Sequence, residues 1–282
     1  MSSERITYGP VDGLRTGRFG SGLSTSVMCY RIGRTLVDTG PPNQWRYVRS
    51  FATDAEIDRI VLTHHHEDHA GNAGRLQEQL DVPVYAPEPS VERLREGFSV
   101  ETYRWLVWGR PTSVQVEPVP DVLPLNDGTT LRPIPAPGHT DDMVCYHAPA
   151  HGLLFTGDLY VTPRPEYLRF DENIPRLIRS IHDVLENDVQ TVLCGHRGVI
   201  ENGENALREK AKYLEALCGV VQRRSRYDKL GVQQITDEIL GSEGLFYWFT
   251  GGDFSKKNLI ASCLEDSAEE PIDIEDADQI VT

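Results

Sequence analysis

The chain has 282 residues, 39% hydrophobic and 25% charged, with a formal net charge of -15. That length can bury a sizeable core, and the acidic excess disfavours a nucleic-acid partner, whose phosphates are bound through Lys and Arg. No apolar run approaches the roughly 18 residues of a membrane helix, and the start, MSSERITYGP, lacks a secretory signal's basic and apolar segments. A cytoplasmic protein with a small-molecule substrate and no membrane partner is therefore expected. Five widely spaced cysteines, Cys29, Cys145, Cys194, Cys218 and Cys263, form no CxxC pair and are expected to be reduced and mostly buried.

In chain order, β-like runs appear in TSVMCYRI, RTLVDTG, IDRIVLTH, VPVYAP, TTLRPIPAP, MVCYHAP, GLLFTGD and DVQTVLCGH, most of them closed by Gly, Pro, Asp or Asn. Helical patterns fall between them at about 43–54, 70–80, 89–97 and 173–186. Alternating strands and helices predict a layered α/β domain. From about residue 203 the pattern changes: in GENALREKAKYLEALCGVVQRRSR, residues Ala206, Leu207, Ala211, Leu214, Leu217, Cys218 and Val221 recur near a helical period. The expected division is a main domain over 1–202 and a helical C-terminal extension over 203–282, which includes VQQITDEILG and FSKKNLIASCL. The aromatic cluster LFYWFT (245–250) is expected to pack the extension onto the main domain. Arg223, Arg224 and Arg226 form either a solvated face or a grip on an anionic substrate tail, and the acidic run in CLEDSAEEPIDIEDADQIVT reads as a solvated tail.

The segment VLTHHHEDHAGN (61–72) concentrates four of the nine histidines, with an aspartate, in six consecutive positions. It follows the strand IDRIVLTH and precedes the helix AGNAGRLQEQL, at a strand's carboxyl end, where α/β sheets hold ligands. Residues two apart in extended chain point the same way, so His64 and His66 can converge on one ion while His65 faces elsewhere. Asp68 and His69 lie at the turn into the helix and can address a neighbouring site. Imidazole and carboxylate suit zinc, and also iron or manganese. The competing structural reading makes Asp68 a helix cap and His65 an exposed spacer. Three later residues, His139 in PAPGHTDD, Asp158 in LLFTGDLY and His196 in VLCGHRG, each end an apolar run beside glycine, and separate strand ends could bring them to one sheet edge.

This ordered set resembles the metallo-β-lactamase-fold hydrolase superfamily over roughly residues 20–200. The resemblance implies a four-layer αββα sandwich of α/β (α+β) class, with the helical C-terminal unit appended. It implies two divalent metal ions, zinc foremost: His64, His66 and His139 on the first, Asp68, His69 and His196 on the second, and Asp158 bridging them. His65, His147, His151 and His182 match no ligand position. Two such ions, roughly 3.5 to 4 Å apart, lower the pKa of a shared water from about 15.7 toward about 7, worth on the order of 12 kcal/mol at 1.36 kcal/mol per unit. A metal-bridging hydroxide attacking a carbonyl, with Asp68 orienting it and shuttling its proton, is the expected chemistry.

Tyr160 is a further candidate, as an oxyanion donor; some lactonases of the superfamily use a tyrosine near here, with spacing that differs by one residue. THHHEDHAGN is similar to the form in glyoxalase II-like thioesterases, although the basic motif that grips glutathione has no counterpart. A class B1 β-lactamase would place a cysteine among the second-site ligands, where this chain has Asp158. PGHTDD departs from the PGHTPGS often seen in the superfamily by placing Asp141 and Asp142 in the turn. Two readings from other classes stand beside the hydrolase: a mononuclear iron dioxygenase of the persulfide-oxidising type, and a non-catalytic regulatory protein retaining the fold. The oligomeric state is open.

Overall fold

The computed structural model describes residues 2–19, 22 and 25–265, so the acidic run of the tail lies outside the described residues from 266 onward. Seven strands form the first sheet in sequence order: β1 (Ser2–Tyr8), β2 (Val11–Gly17), β3 (Ser26–Ile32), β4 (Thr35–Val37), β5 (Arg59–Val61), β6 (Val84–Ala86) and β7 (Glu117–Pro118). The first four pair antiparallel and β4 to β7 pair parallel. Parallel neighbours need crossovers, and these carry α1 (Trp45–Thr53), α2 (Glu67–Ala70), α3 (Ala73–Leu80), α4 (Val91–Glu96) and α5 (Thr102–Val107).

The second half contains β8 (Leu123–Pro124), β9 (Thr130–Pro135), β10 (Val144–Ala148), β11 (Leu153–Gly157), β12 (Leu168–Arg169), α6 (Ile174–Leu185), β13 (Thr191–Cys194) and β14 (Gly198–Ile200). Its six-stranded sheet runs β14-β13-β11-β10-β9-β8, with β11 and β13 parallel. Helices α7 (Gly203–Arg226), α8 (Val232–Ile239), α9 (Leu245–Phe249) and α10 (Lys256–Ser262) follow, and β15 (Phe254–Ser255) returns to pair antiparallel with β12.

Three apolar layers fix this as αββα. Met28, Tyr30 and Val61 meet Tyr146, Phe155 and Leu193 between the sheets. Val48, Phe51, Leu76 and Leu94 cover the outer face of the first sheet, against Leu36 and Ile60. Leu177, Ile181, Leu207 and Leu214 cover the second, against Leu154 and Val192. Strands covered on both faces read as continuous apolar runs, and each fully buried Leu or Phe contributes roughly 1.5–3 kcal/mol. In α6 the helical spacing of Ile174, Leu177, Ile181 and Val184 supplies the buried stripe, and Asn173 caps its start by accepting from Arg176 N at 2.8 Å. No described helix is long and apolar enough to cross a membrane.

The N-terminal hairpin of β1 and β2 escapes the sequence reading because SSERITY and VDGLRTG are too polar to signal strands. Backbone and hydroxyl bonds sew the two sheets together: Tyr30 donates to Cys194 O at 2.7 Å, Tyr146 to Leu62 O at 2.8 Å, and Met28 N to Gly195 O at 2.7 Å. All five cysteines are free and buried.

Candidate metal centre

The carboxyl ends of two parallel pairs, β4–β5 and β11–β13, build the site. Asp38 follows β4, the 62–69 turn follows β5, Asp158 follows β11, and His196 follows β13. His139 comes from the turn between β9 and β10.

The structure brings all seven expected donors together. His64 Nε2 lies 3.0 Å from His66 Nδ1, and His139 Nε2 lies 3.1 Å from the same atom. Asp158 stands between two groups: its Oδ2 is 3.3 Å from Nε2 of both His139 and His196, and its Oδ1 is 3.3 Å from His69 Nε2. Asp68 Oδ2 is 3.5 Å from His196 Nε2 and 4.0 Å from His69 Nε2. The donors divide into His64, His66, His139 and Asp158, and Asp68, His69 and His196, the ligand atoms of each set lying within 4.8 Å of one another. All seven residues are buried.

The outer nitrogens are held in turn. His69 Nδ1 meets Asp38 Oδ2 at 2.8 Å, His139 Nδ1 meets Glu172 Oε2 at 3.2 Å, His196 Nδ1 donates to Ser26 O at 2.7 Å, and His64 Nδ1 lies 3.0 Å from Thr63 Oγ1. Such partners fix the ring proton on the outer nitrogen and leave the inner lone pair for a cation. Burial pushes His64 and His66 well below the usual imidazole range, helped by His69 beside His64 and by Arg169 and Arg104 beside His66. Burial acts the same way on His69 and His196, yet the nearby carboxylates, Asp158 foremost, outweigh it and raise both. Burial would raise Asp158, but His196 and His69 draw it well below the ordinary carboxylate value.

These residues fit divalent cations. His69 Nε2 and Asp158 Oδ1 are buried and face each other at 3.3 Å without the geometry of a hydrogen bond, an arrangement that costs free energy unless something else satisfies them. The donor set is nitrogen and carboxylate oxygen, as zinc and its neighbours prefer. Gly195 closes the cradle: a Cβ there would come 2.7 Å from His69 Cε1 and 2.8 Å from Asp158 Oδ1. His66 is the exception among the rings, because its outer Nε2 faces Arg169 Nη2 at 2.9 Å, a group that only donates. A cation at Nδ1 requires the ring proton on Nε2, so Arg169 has to be drawn aside toward Asp171, which it already contacts at 2.5 Å.

Several contributors lay outside the sequence reading. Asp38 adopts a left-handed φ of 60°, and its carboxylate accepts from Thr63 N at 2.8 Å and Thr63 Oγ1 at 2.9 Å as well as meeting His69. Its signal was DTG at the end of an apolar run, the counterpart of TGD around Asp158. Asn72 clamps the same loop, donating to the carbonyls of Thr39, Gly40 and Pro41 at 2.9, 3.1 and 2.8 Å. Glu67, inside the histidine motif, is buried and paired with Arg104 at 2.5 Å. Asp142, where PGHTDD departs from the commoner turn, accepts from His65 N at 3.0 Å and Ser90 Oγ at 2.5 Å and pairs with His65 Nδ1 at 2.9 Å. It pins the histidine motif from outside and holds His65 away from the donors.

A cavity of about 290 Å³ opens over the cluster, with His66, Asp68, His139, Asp158 and His196 on its floor. Leu168, Phe246, Phe249 and Phe254 form much of the opposite wall. The aromatic cluster of α9 is divided: Phe246 meets Tyr167 edge-to-face and Phe254 at a tilt, with centroid distances of 5.6 and 5.2 Å, while Leu245, Trp248 and Phe249 are 89%, 73% and 52% exposed. Tyr160 is not among the lining residues; its ring lies 5.8 Å from Lys210 Nζ. Arg223, Arg224 and Arg226, at the end of α7, do not line the cavity either.

The family model described as the metallo-beta-lactamase superfamily matches residues 24–196, over half of the chain. The chain therefore belongs to that superfamily. It is 26% identical over 228 residues to a Beta-lactamase-like protein 2 homolog of Caenorhabditis elegans, a match covering 77% of this chain and 70% of that protein. An atrochrysone carboxyl ACP thioesterase of Passalora fulva is 24% identical over 249 residues, 81% of this chain and 66% of its own length. A solved beta-lactamase domain protein from Burkholderia ambifaria superposes with a TM-score of 0.69 at 16% identity, covering 93% of this chain and 87% of that one, a likeness of fold.

Proposed function

We propose that the protein is a metal-dependent hydrolase that cleaves an ester or thioester of a small molecule with two divalent ions, zinc foremost. The observation that carries this reading is the convergence of two buried donor sets beneath an open cavity, with His69 Nε2 and Asp158 Oδ1 facing each other between them without a well-formed hydrogen bond. His64, His66 and His139 would hold one ion and Asp68, His69 and His196 the other, with Asp158 between them. Bound there, such ions supply Lewis acidity toward a carbonyl and bring the pKa of water from about 15.7 toward about 7.

The chain's own groups do the rest. Asp68 lines the cavity, where its Oδ2 can hold a proton and pass it to the leaving group. Asp38 and Glu172 keep His69 and His139 oriented through their outer nitrogens. The wall of Leu168, Phe246 and Phe254 seats the acyl portion and excludes water from it. The Passalora fulva relative's name, a thioesterase, supports the bond class.

The test is elemental analysis of protein purified without chelator, with the same sample assayed on thioesters, lactones and phenyl esters before and after chelation and zinc return. About two ions per chain, with turnover that chelation removes and zinc restores, is the expected result. One iron per chain with no hydrolysis would replace this reading with the dioxygenase, and a folded, metal-free protein would remove catalysis from it.

A further inference from the structure

We infer that Lys210 of α7 receives a carboxylate carried by the substrate, so that the cavity selects acidic acyl compounds; this rests on the hydrolase reading. Among the described residues, three cationic side chains other than histidines line the cavity: Arg104, Arg169 and Lys210. Arg104 is neutralised by Glu67 at 2.5 Å and Arg169 by Asp171 at 2.5 Å. Lys210 is 3% exposed, and its ammonium donates to the carbonyl of Leu159 at 2.7 Å. No carboxylate among the described residues forms an ion pair with it. An ammonium has three donors, and a buried charge without a counter-ion is costly.

The alternative is a peg that holds the segment after Asp158 through the Leu159 carbonyl. A peg requires one hydrogen bond, which a neutral amide supplies without burying a charge, and it has no need to line the cavity. Glu172, which lines the same cavity, is committed to His139 Nδ1 at 3.2 Å and Arg169 N at 3.3 Å. A monoanionic carboxylate suits the position better than a phosphate dianion, because among the described residues one cation of the wall lacks a carboxylate partner, and the carboxylates of Asp68, Asp158, Glu166 and Glu172 line the same cavity. Burial draws the Lys210 amine down to about 8, which leaves it mostly charged at neutral pH.

The test compares two probes of the same shape, 4-phenylbutyrate and 4-phenylbutyramide, binding to the metal-loaded wild type and to Lys210→Met and Lys210→Gln proteins by calorimetry. The wild type is expected to favour the carboxylate by about ten-fold or more, the scale of a charge-assisted hydrogen bond, and both variants to bring that ratio close to one. A ratio that survives in either folded variant overturns the proposal by assigning the carboxylate to another group, and so does an equal loss of both probes, the mark of a peg. Kinetics with phenyl hemiglutarate and phenyl valerate separate this from the hydrolase reading. If neither ester is cleaved while the binding ratio still depends on Lys210, the hydrolase reading fails and the carboxylate site stands.

Discussion

The floor and the far wall of the cavity are built by opposite rules. On the floor, seven buried donors are placed by strand ends, tight turns or the short helix α2, and all but one of the histidines have their outer nitrogen held by a group that fixes the ring proton outward. The far wall comes from β12, α9 and β15, short elements whose aromatic side chains are partly exposed and meet one another in tilted or edge-on contacts with Tyr167 beside them. Preorganised polar groups set which chemistry occurs; an apolar wall of separable rings sets what is admitted, with modest energies per contact. The contrast therefore teaches that reaction type is robust in this chain and substrate choice is adjustable.

Substitutions can break that contrast, and the largest effect belongs to the floor. Asp158→Ala removes the carboxylate shared by both donor sets and is expected to lower turnover by about 10³-fold or more, with metal content falling in the same sample by elemental analysis. Retention of both would dissolve the distinction between floor and wall.

Next comes Lys210, where floor and wall meet. Its folded-state pKa of about 8 lies below the ordinary 10.5. Below pH 8 both folded and unfolded chains carry the proton and the folded state bears the whole cost of burying the charge. Between about 8 and 10.5 the folded chain has released it while the unfolded chain still holds it, so the wild type gains stability as pH rises. Lys210→Met should therefore be the more stable protein at pH 7, and its advantage should shrink by up to about 3 kcal/mol by pH 10.5. Urea melts of the two proteins across that range measure the difference, and a pH-independent gap would contradict it.

Asp38→Ala releases the outer nitrogen of His69 and is expected to weaken metal binding by about 10- to 100-fold, the usual scale for such partners. Competition with a chromophoric chelator reads this directly. The smallest effect belongs to the wall: Phe246→Ala should raise KM for an aryl ester about ten-fold with little change in kcat. A loss of kcat on the scale of Asp158→Ala would mean that the wall shapes the chemistry after all.

How much of this was legible depended on whether a group's partners were close in sequence. The run from His64 to His69 announced itself because donors two apart in extended chain share a direction, and the glycines beside His139, Asp158 and His196 marked turns at strand ends. A layered α/β domain followed from apolar runs alternating with helical spacing, and its four-layer form from the family resemblance, which the three apolar layers match. Asp38 showed only as DTG at a strand end; its role is defined by Thr63 and His69, 25 and 31 residues away. Arg169 and Lys210 were hidden for the same reason: a cation's meaning depends on which carboxylate reaches it, and that is decided by packing. The polar hairpin of β1 and β2 carried no hydrophobic alternation, and its pairing register settles it instead.

The short ribbon of β12 and β15 sets an order in time. It ties Leu168 and Arg169 to Phe254 and Ser255, whereas the last of the seven donors is His196. As the chain emerges from the ribosome, the whole ligand set has been synthesised some sixty residues before the strand that completes the wall. Vectorial synthesis thus completes the donor side chains, and Lys210 after them, before the last strand of the wall exists.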